Sequence, residues 1–236
     1  MTKLLVSVRT SEEALEALAA GADIIDLKDP AQGALGALPA SVIDEIVHLV
    51  NGRLPISATI GDLPMDAESV MFAIEHTSKI GVDIIKAGFF GASEAHDKWV
   101  KVLQSYTAGV RLVAVLFADQ MPDFAVLPKL KQAGFYGVML DTASKSGKCL
   151  GDYVSMQRLR EFLQTARQYE LETGFAGSLR LADIPMLASL SPGYLGFRGG
   201  LCEQHIRTGR LLQSSTMEAK KLLRESNTIC EYAGWA

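Results

Sequence analysis

Residues 22–30 read ADIIDLKDP, an apolar run that closes on Asp26, Leu27 and Lys28 before Asp29 and Pro30. Successive side chains of an extended strand point to opposite faces, so Ile24, Asp26 and Lys28 share one face while Ile25 and Leu27 share the other. Two opposite charges therefore enter one interior from the end of one strand. A second run, VDIIKAG at 82–88, repeats the arrangement with Ile84 and Lys86, and YGVMLD at 136–141 delivers Asp141 at its own end. A lone buried ammonium or carboxylate is costly and normally shifts its pKa or finds a partner. An exposed strand terminus explains any one of these charges. Three apolar strands ending this way point to a shared reaction centre.

Outward from that stretch the chain repeats one unit. Leu4–Val8 reads as the first strand, and SEEALEALAAG follows as a helix with Ser11 placed to cap it and Gly21 to end it. After the second strand, a loop at 29–39 leads to a helix opened by Ser41 and closed by Gly52. Strands are then predicted at 55–60, 82–88, 111–117, 136–141, 172–176 and 194–197. The helices between and after them are predicted at 67–80, 93–107, 124–133, 155–170, 181–190 and 209–225, with a polar loop at 142–152. Strict alternation implies parallel strands with crossover helices, and eight such units close into a single-domain (β/α)8 barrel, the TIM barrel, spanning residues 1–236. The competitor is an open doubly wound sheet. Against it, VRTSEEA rather than a glycine-rich phosphate fingerprint follows the first strand, and no G-x-G-x-x-G or P-loop pattern occurs elsewhere.

The 236 residues fit the usual barrel length of about 250. A hydrophobic share of 48% with 21% charged residues suits a large core. A net charge of −4 without a long basic run argues against a nucleic-acid partner. No apolar run approaches the roughly 20 residues of a membrane span, and the opening MTKLLVSVRTSEEA turns acidic too soon for a secretory signal, so the expected location is the cytoplasm. Cys149, Cys202 and Cys230 are odd in number and widely spaced, which fits reduced thiols. His48, His76, His96 and His205 include no pair at metal-ligand spacing, and the first three fall in outer helices with structural or solvated roles; neither a metal nor a cofactor is expected. Barrels of this size often associate through outer helices, and the sequence leaves the oligomeric state open.

In a barrel every strand's C-terminal end lies on one face, where enzymes of this fold place their chemistry, so Asp26, Lys28, Lys86 and Asp141 are expected to converge there. An uncharged lysine can attack a carbonyl and form a Schiff base. Desolvation and a neighbouring ammonium both favour the free amine, and Lys28 and Lys86 are placed to be such neighbours for each other. The aspartates oppose this but can shuttle protons during carbinolamine dehydration and enamine formation. Lys145, four residues past the strand end in DTASKSGK, is a further candidate; Lys148 reads equally as a solvated loop residue. Asp62 and Asp119 follow strands three and five, and either can instead shape a turn or cap a helix. Loops after strands seven and eight often hold anions on backbone N–H groups. Here they begin with Ala176, Gly177 and Ser178 and with Arg198, Gly199 and Gly200, where small residues admit a phosphate and Arg198 adds a charge. These residues describe a lysine-dependent enzyme for a small phosphorylated carbonyl compound, without choosing between Lys28 and Lys86 as nucleophile.

The segments GADIIDLKDPAQGALGA, ISATIGDLP, DIIKAGFFG, DTASKSGK, FAGSL and GFRGGLC, spread over most of the chain, resemble those of the (5-formylfuran-3-yl)methyl phosphate synthases, also called 4-(hydroxymethyl)-2-furancarboxaldehyde-phosphate synthases. The resemblance implies a class I aldolase-like barrel that condenses two molecules of glyceraldehyde 3-phosphate, with loss of one phosphate and water, toward methanofuran-type and methylofuran C1 carriers. It implies Lys28 as the Schiff-base lysine and Lys86 as proton acceptor, with Asp26, Asp141 and Lys145 in supporting acid–base roles. Strand five, VLFAD, departs from the family pattern, which leaves Asp119 without an implied role. The alternatives are a simple class I aldolase or sugar-phosphate isomerase on the same barrel, and a non-catalytic phosphometabolite-binding barrel that needs the anion loops but not the lysines.

Overall fold

The computed structural model describes residues 1–232 apart from Met65, Ala92, Ala108, Lys145 and Ser146. Among them, eight parallel strands close into a barrel in sequence order: β1 (Lys3–Val8), β2 (Ile24–Leu27), β3 (Ile56–Thr59), β4 (Ile84–Phe89), β5 (Arg111–Phe117), β6 (Gly137–Asp141), β7 (Glu172–Phe175) and β8 (Tyr194–Phe197). Closure is direct, with Lys3 paired to Tyr194 and Val6 to Phe197, which excludes the open sheet. Helices α1 (Ser11–Ala19), α2 (Ala40–Val50), α3 (Ala67–Lys79), α4 (Ser93–Leu103), α5 (Leu127–Gln132), α6 (Leu150–Tyr153), α7 (Met156–Gln168), α8 (Ile184–Ala188) and α9 (Gln213–Tyr232) lie in the strand connections and after β8.

Strand parity sorts the core into two compartments. Ile25, Leu27, Ile85, Leu112, Leu140 and Phe175 point outward into the layer between sheet and helices. Leu5, Ile24, Ile84, Val113, Met139 and Tyr194 point inward and fill the ring. Burying each large aliphatic side chain contributes about 1.5–3 kcal/mol, and a one-residue slip of any strand would exchange the two sets. The inner set forms an apolar floor, on which the strands' C-terminal charges rest.

Local chemistry moves some boundaries. Thr10, not Ser11, caps α1 by accepting from the Glu13 N–H at 3.3 Å; Ser11 donates outward to Glu45 instead. A short helix, α6, interrupts the polar loop after β6, its first N–H groups met by Asp152 and the Cys149 side chain. The last helix begins at Gln213 rather than Gly209, because residues 199–212 first form two short 3-10 turns and fold back so that Cys202 bridges to Leu211. His48 and His76 are exposed on α2 and α3, and His96 is buried edge-on against Phe89, ring centroids 5.5 Å apart. Cys149, Cys202 and Cys230 are free thiols.

Candidate active site

The register of the first three strands builds the floor of the site. Ser7 pairs with Asp26, and Asp26 with Ser57, so a carboxylate lies between two hydroxyls on neighbouring strands. Ser7 Oγ donates to Asp26 Oδ2 at 2.7 Å, and Ser57 Oγ donates to Oδ1 at 2.6 Å. Lys86, which pairs with Thr59 on β3, reaches down to place its Nζ against Asp26 Oδ1. Asp26 and Lys86 are only 1% and 3% exposed. Burial by itself pushes the Asp26 carboxyl upward, but the ammonium groups of Lys86 and Lys28 and the hydrogen bonds from Lys86 and Ser57 outweigh it and hold the group below the usual carboxylate range. For Lys86 burial wins: it pulls the amine below the usual lysine range against the attraction of Asp26, and Lys28 adds to the pull. Asp26 is thus held as a carboxylate, beside an amine whose proton is unusually easy to remove.

Lys28 stands at the end of β2 with its Nζ 3.4 Å from Asp141 Oδ2 across the mouth. Its side chain is 12% exposed, so it meets the cavity from a looser and more open position than Lys86. Asp141 is oriented from behind by the Thr142 N–H, which donates to Oδ1 at 2.7 Å. Lys145 lies outside the described residues.

The other wall is made by the loops after β7 and β8. Gly177 is at φ +103° and Ser178 at φ +51°, left-handed conformations that turn this loop across the barrel end. Gly200 packs so tightly on it that a Cβ would come within 2.2 Å of the Leu179 carbonyl oxygen. The backbone N–H groups of Gly177, Ser178, Gly199 and Gly200 make no hydrogen bond within the described residues. They line the same cavity of about 240 Å³ as Asp26, Lys28, Lys86 and Asp141. Such a cluster of backbone donors suits a phosphate.

Residues 4–220 match the family described as 4-HFC-P synthase. The chain belongs to that family. It is 42% identical over 222 residues to a Methylorubrum extorquens relative, spanning 94% of this chain and 92% of that one. It is 38% identical over 211 residues to the (5-formylfuran-3-yl)methyl phosphate synthase of Methanosarcina mazei, covering 85% of this chain and 90% of the relative. Among solved structures, 3-hexulose-6-phosphate synthase from Salmonella typhimurium superposes with a TM-score of 0.67 at 16% identity, covering 96% of this chain and 100% of that one, a likeness of fold.

In this 4-HFC-P synthase family member the geometry gathers Asp26, Lys28, Lys86, Asp141, Gly177, Ser178, Gly199 and Gly200 around one cavity. Arg198 corrects the expectation made for it. Its five N–H groups are spent on Glu13 in a two-pronged pair and on the carbonyls of Ser7 (3.2 Å), Arg207 (2.8 Å) and Gly209 (2.9 Å), which leaves no side-chain donor for a phosphate. Asp62 and Asp119 resolve as loop clasps. Asp62 accepts from the N–H groups of Ala34 and Leu35 at 2.7 and 2.6 Å, and Asp119 from those of Ala143 and Ser144 at 2.8 and 2.7 Å. Lys148 is exposed and stacks its ammonium over Tyr153 at 5.6 Å. Sequence reasoning missed Ser7, Ser57, Glu13 and Arg207. The two serines were detectable as hydroxyls at inward positions of LLVSV and PISAT, on the strands flanking Asp26. The partnership of Glu13 with Arg198 bridges 185 positions and leaves no local signal. No helix of the described residues is long and apolar enough to cross a membrane, and none of their His, Cys, Asp and Glu side chains group in threes to hold a metal ion.

Proposed function

We propose that this chain is a (5-formylfuran-3-yl)methyl phosphate synthase that works through a Schiff base on Lys28. Two glyceraldehyde 3-phosphates give one furan phosphate, one inorganic phosphate and two waters, which balances all carbon, oxygen, hydrogen and phosphorus. The observation that carries the mechanism is the pairing of each lysine with its own aspartate at one cavity: Lys28 loosely with Asp141, Lys86 tightly with Asp26. The looser and more exposed amine is the better nucleophile, and the deeper one, whose proton burial loosens, is the better base.

In this reading the Lys28 amine attacks the carbonyl carbon of a triose phosphate in its ketone form. Asp141 takes one proton from the Lys28 ammonium to free the amine and a second from the nitrogen after attack, and both pass to the carbinolamine oxygen, which leaves as water. Lys86, as the free amine, removes a proton from the carbon next to the iminium, and Asp26 stabilises the resulting ammonium; the C–H electrons become the enamine double bond. Through its phosphate-bearing carbon that enamine attacks the ketone carbon of a second triose phosphate, whose oxygen takes up a proton, and the carbon attacked becomes the branch point that carries the product's phosphomethyl arm. Cyclisation, loss of water and elimination of one phosphate complete the aromatic ring, whose stability opposes reversal. The family resemblance assigns Lys145 a supporting acid–base role. The first phosphate rests on the N–H groups of Gly177, Ser178, Gly199 and Gly200. By reaction the enzyme is a carbon–oxygen lyase acting on phosphates, feeding methanofuran-type carriers.

Incubation with glyceraldehyde 3-phosphate tests this. Furan absorbance should appear with one phosphate released per ring. Release of triose products alone would indicate a simple aldolase or isomerase.

A further inference from the structure

We propose that Arg207 is the binding group for the phosphate of the second triose, the one that accepts the enamine and keeps its phosphate in the product. This rests on the condensation reading above, which requires two phosphorylated substrates in one cavity. The N–H cluster after β7 and β8 accounts for one phosphate, and Arg198 is fully engaged, so a second cation is needed at the mouth.

Arg207 lines the cavity and is half-buried. Its guanidinium makes one hydrogen bond within the described residues, from Nη2 to the carbonyl oxygen of Gly33 in the loop after β2. No carboxylate of the described residues lies within ion-pair distance of it. Among the described residues, the other buried or half-buried cations of the site have an anion: Lys28 has Asp141, Lys86 has Asp26 and Arg198 has Glu13. Burial lowers the Arg207 pKa from the ordinary arginine value, with Asp141 and Asp62 acting in the opposite direction, a sign that its charge is incompletely solvated. A planar fork with free N–H groups, facing a cavity, is the geometry that takes a phosphate in two-pronged fashion.

The surrounding loops hold that fork in place. Gln204 and His205 are left-handed, at φ +52° and +59°, and fold residues 203–210 back over the β8 end. Arg198 Nε ties down the Arg207 carbonyl at 2.8 Å, and the Glu203 N–H donates to the Arg210 carbonyl at 2.9 Å. Across the mouth, Asp62 fixes the loop at 33–35 through Ala34 and Leu35. Both Asp62 oxygens are therefore turned to backbone donors. Asp29 is similarly occupied by the Ala31 N–H at 2.9 Å. A neutral carbonyl, Gly33, is a weak partner that a dianion displaces. The guanidinium is anchored on the loop after β2, whereas the N–H cluster belongs to the loops after β7 and β8, so the two anion sites draw on different walls of one cavity.

The test separates the two halves of the reaction in Arg207→Gln and Arg207→Lys variants. Borohydride trapping with dihydroxyacetone phosphate alone reports the first triose, and furan formation from glyceraldehyde 3-phosphate reports both. The expected result is trapping on Lys28 within about twofold of the unmodified enzyme, with furan kcat/KM reduced about 10–100-fold in R207Q and less in R207K, through KM more than kcat. Parallel loss of trapping and furan formation, or no change in either, overturns the assignment. If R207Q melts early, R207K, which keeps a cation of similar reach, decides by the same comparison. Failure of the unmodified enzyme to give any trapped adduct would instead sink the Schiff-base reading, and this assignment with it.

Discussion

Replacing Asp26 by asparagine keeps the side chain's shape and removes the charge against which Lys86 rests. Both groups are almost wholly enclosed, Asp26 at 1% and Lys86 at 3% exposure, so the ammonium left behind has little water to turn to. Losing one member of such a pair costs about 3–5 kcal/mol. Lys86 can reduce that loss by shedding its proton, and each unit of pKa depression corresponds to ~1.4 kcal/mol. The sign follows from proton counting. The folded-state pKa of Lys86 already lies below 10.5, and Asp26 is what raises it, so in the variant it falls further. Between that lower value and 10.5 the unfolded chain binds more protons than the folded chain, and stability rises with pH throughout the window. Asp26 contributes on the acid side: its folded pKa lies below 3.8, so its share of stability is complete above that value and is lost as pH falls through the folded pKa. Urea denaturation should therefore find the variant about 3–5 kcal/mol less stable near pH 6, with the gap narrowing as pH rises toward 9. A variant within ~1 kcal/mol of the parent near pH 6, or a gap that widens with pH, would refute the reasoning.

Three other substitutions probe the walls of the site. Glu13→Gln leaves the Arg198 guanidinium without its buried anion, the two side chains being 8% exposed each, and should cost about 3 kcal/mol in urea denaturation while weakening triose phosphate binding through the loosened β8 loop. Gly200→Ala drives a methyl group to within 2.2 Å of the Leu179 oxygen and parts the two anion loops; the inhibition constant of inorganic phosphate should rise about tenfold, a result checked by competition kinetics. Asp119→Ala frees the N–H groups of Ala143 and Ser144 and should lower kcat about 10-fold or more with little change in melting temperature, since the clasp shapes the mouth and not the core.

The barrel was legible because its signals are local. Alternating strand and helix runs fix parallel pairing, and parity within IIDLK and DIIK puts Asp26 and Lys86 in the interior without any tertiary information. The same parity marks Ser7 and Ser57, but a serine in an apolar strand draws attention only once its neighbour across the ladder is known to be a carboxylate. What the sequence does not carry is how donors are distributed. Arg198 and Arg207 are nine positions apart in one loop; one is saturated by Glu13 from α1, and the other reaches Gly33 in the loop after β2. Each outcome depends on a distant segment. Asp62 and Asp119 show the same limit: both stand just past strand ends, where catalytic groups also stand, and only the loop N–H groups they accept from give them a scaffold role.

The central claim is that Lys28 carries the carbon skeleton and Lys86 moves the proton. Borohydride reduction in the presence of glyceraldehyde 3-phosphate, followed by peptide mass analysis, tests it most directly. The expected adduct is on the peptide containing Lys28, and it should vanish in Lys28→Arg. An adduct on the Lys86 peptide alone would contradict the account and reverse the two roles.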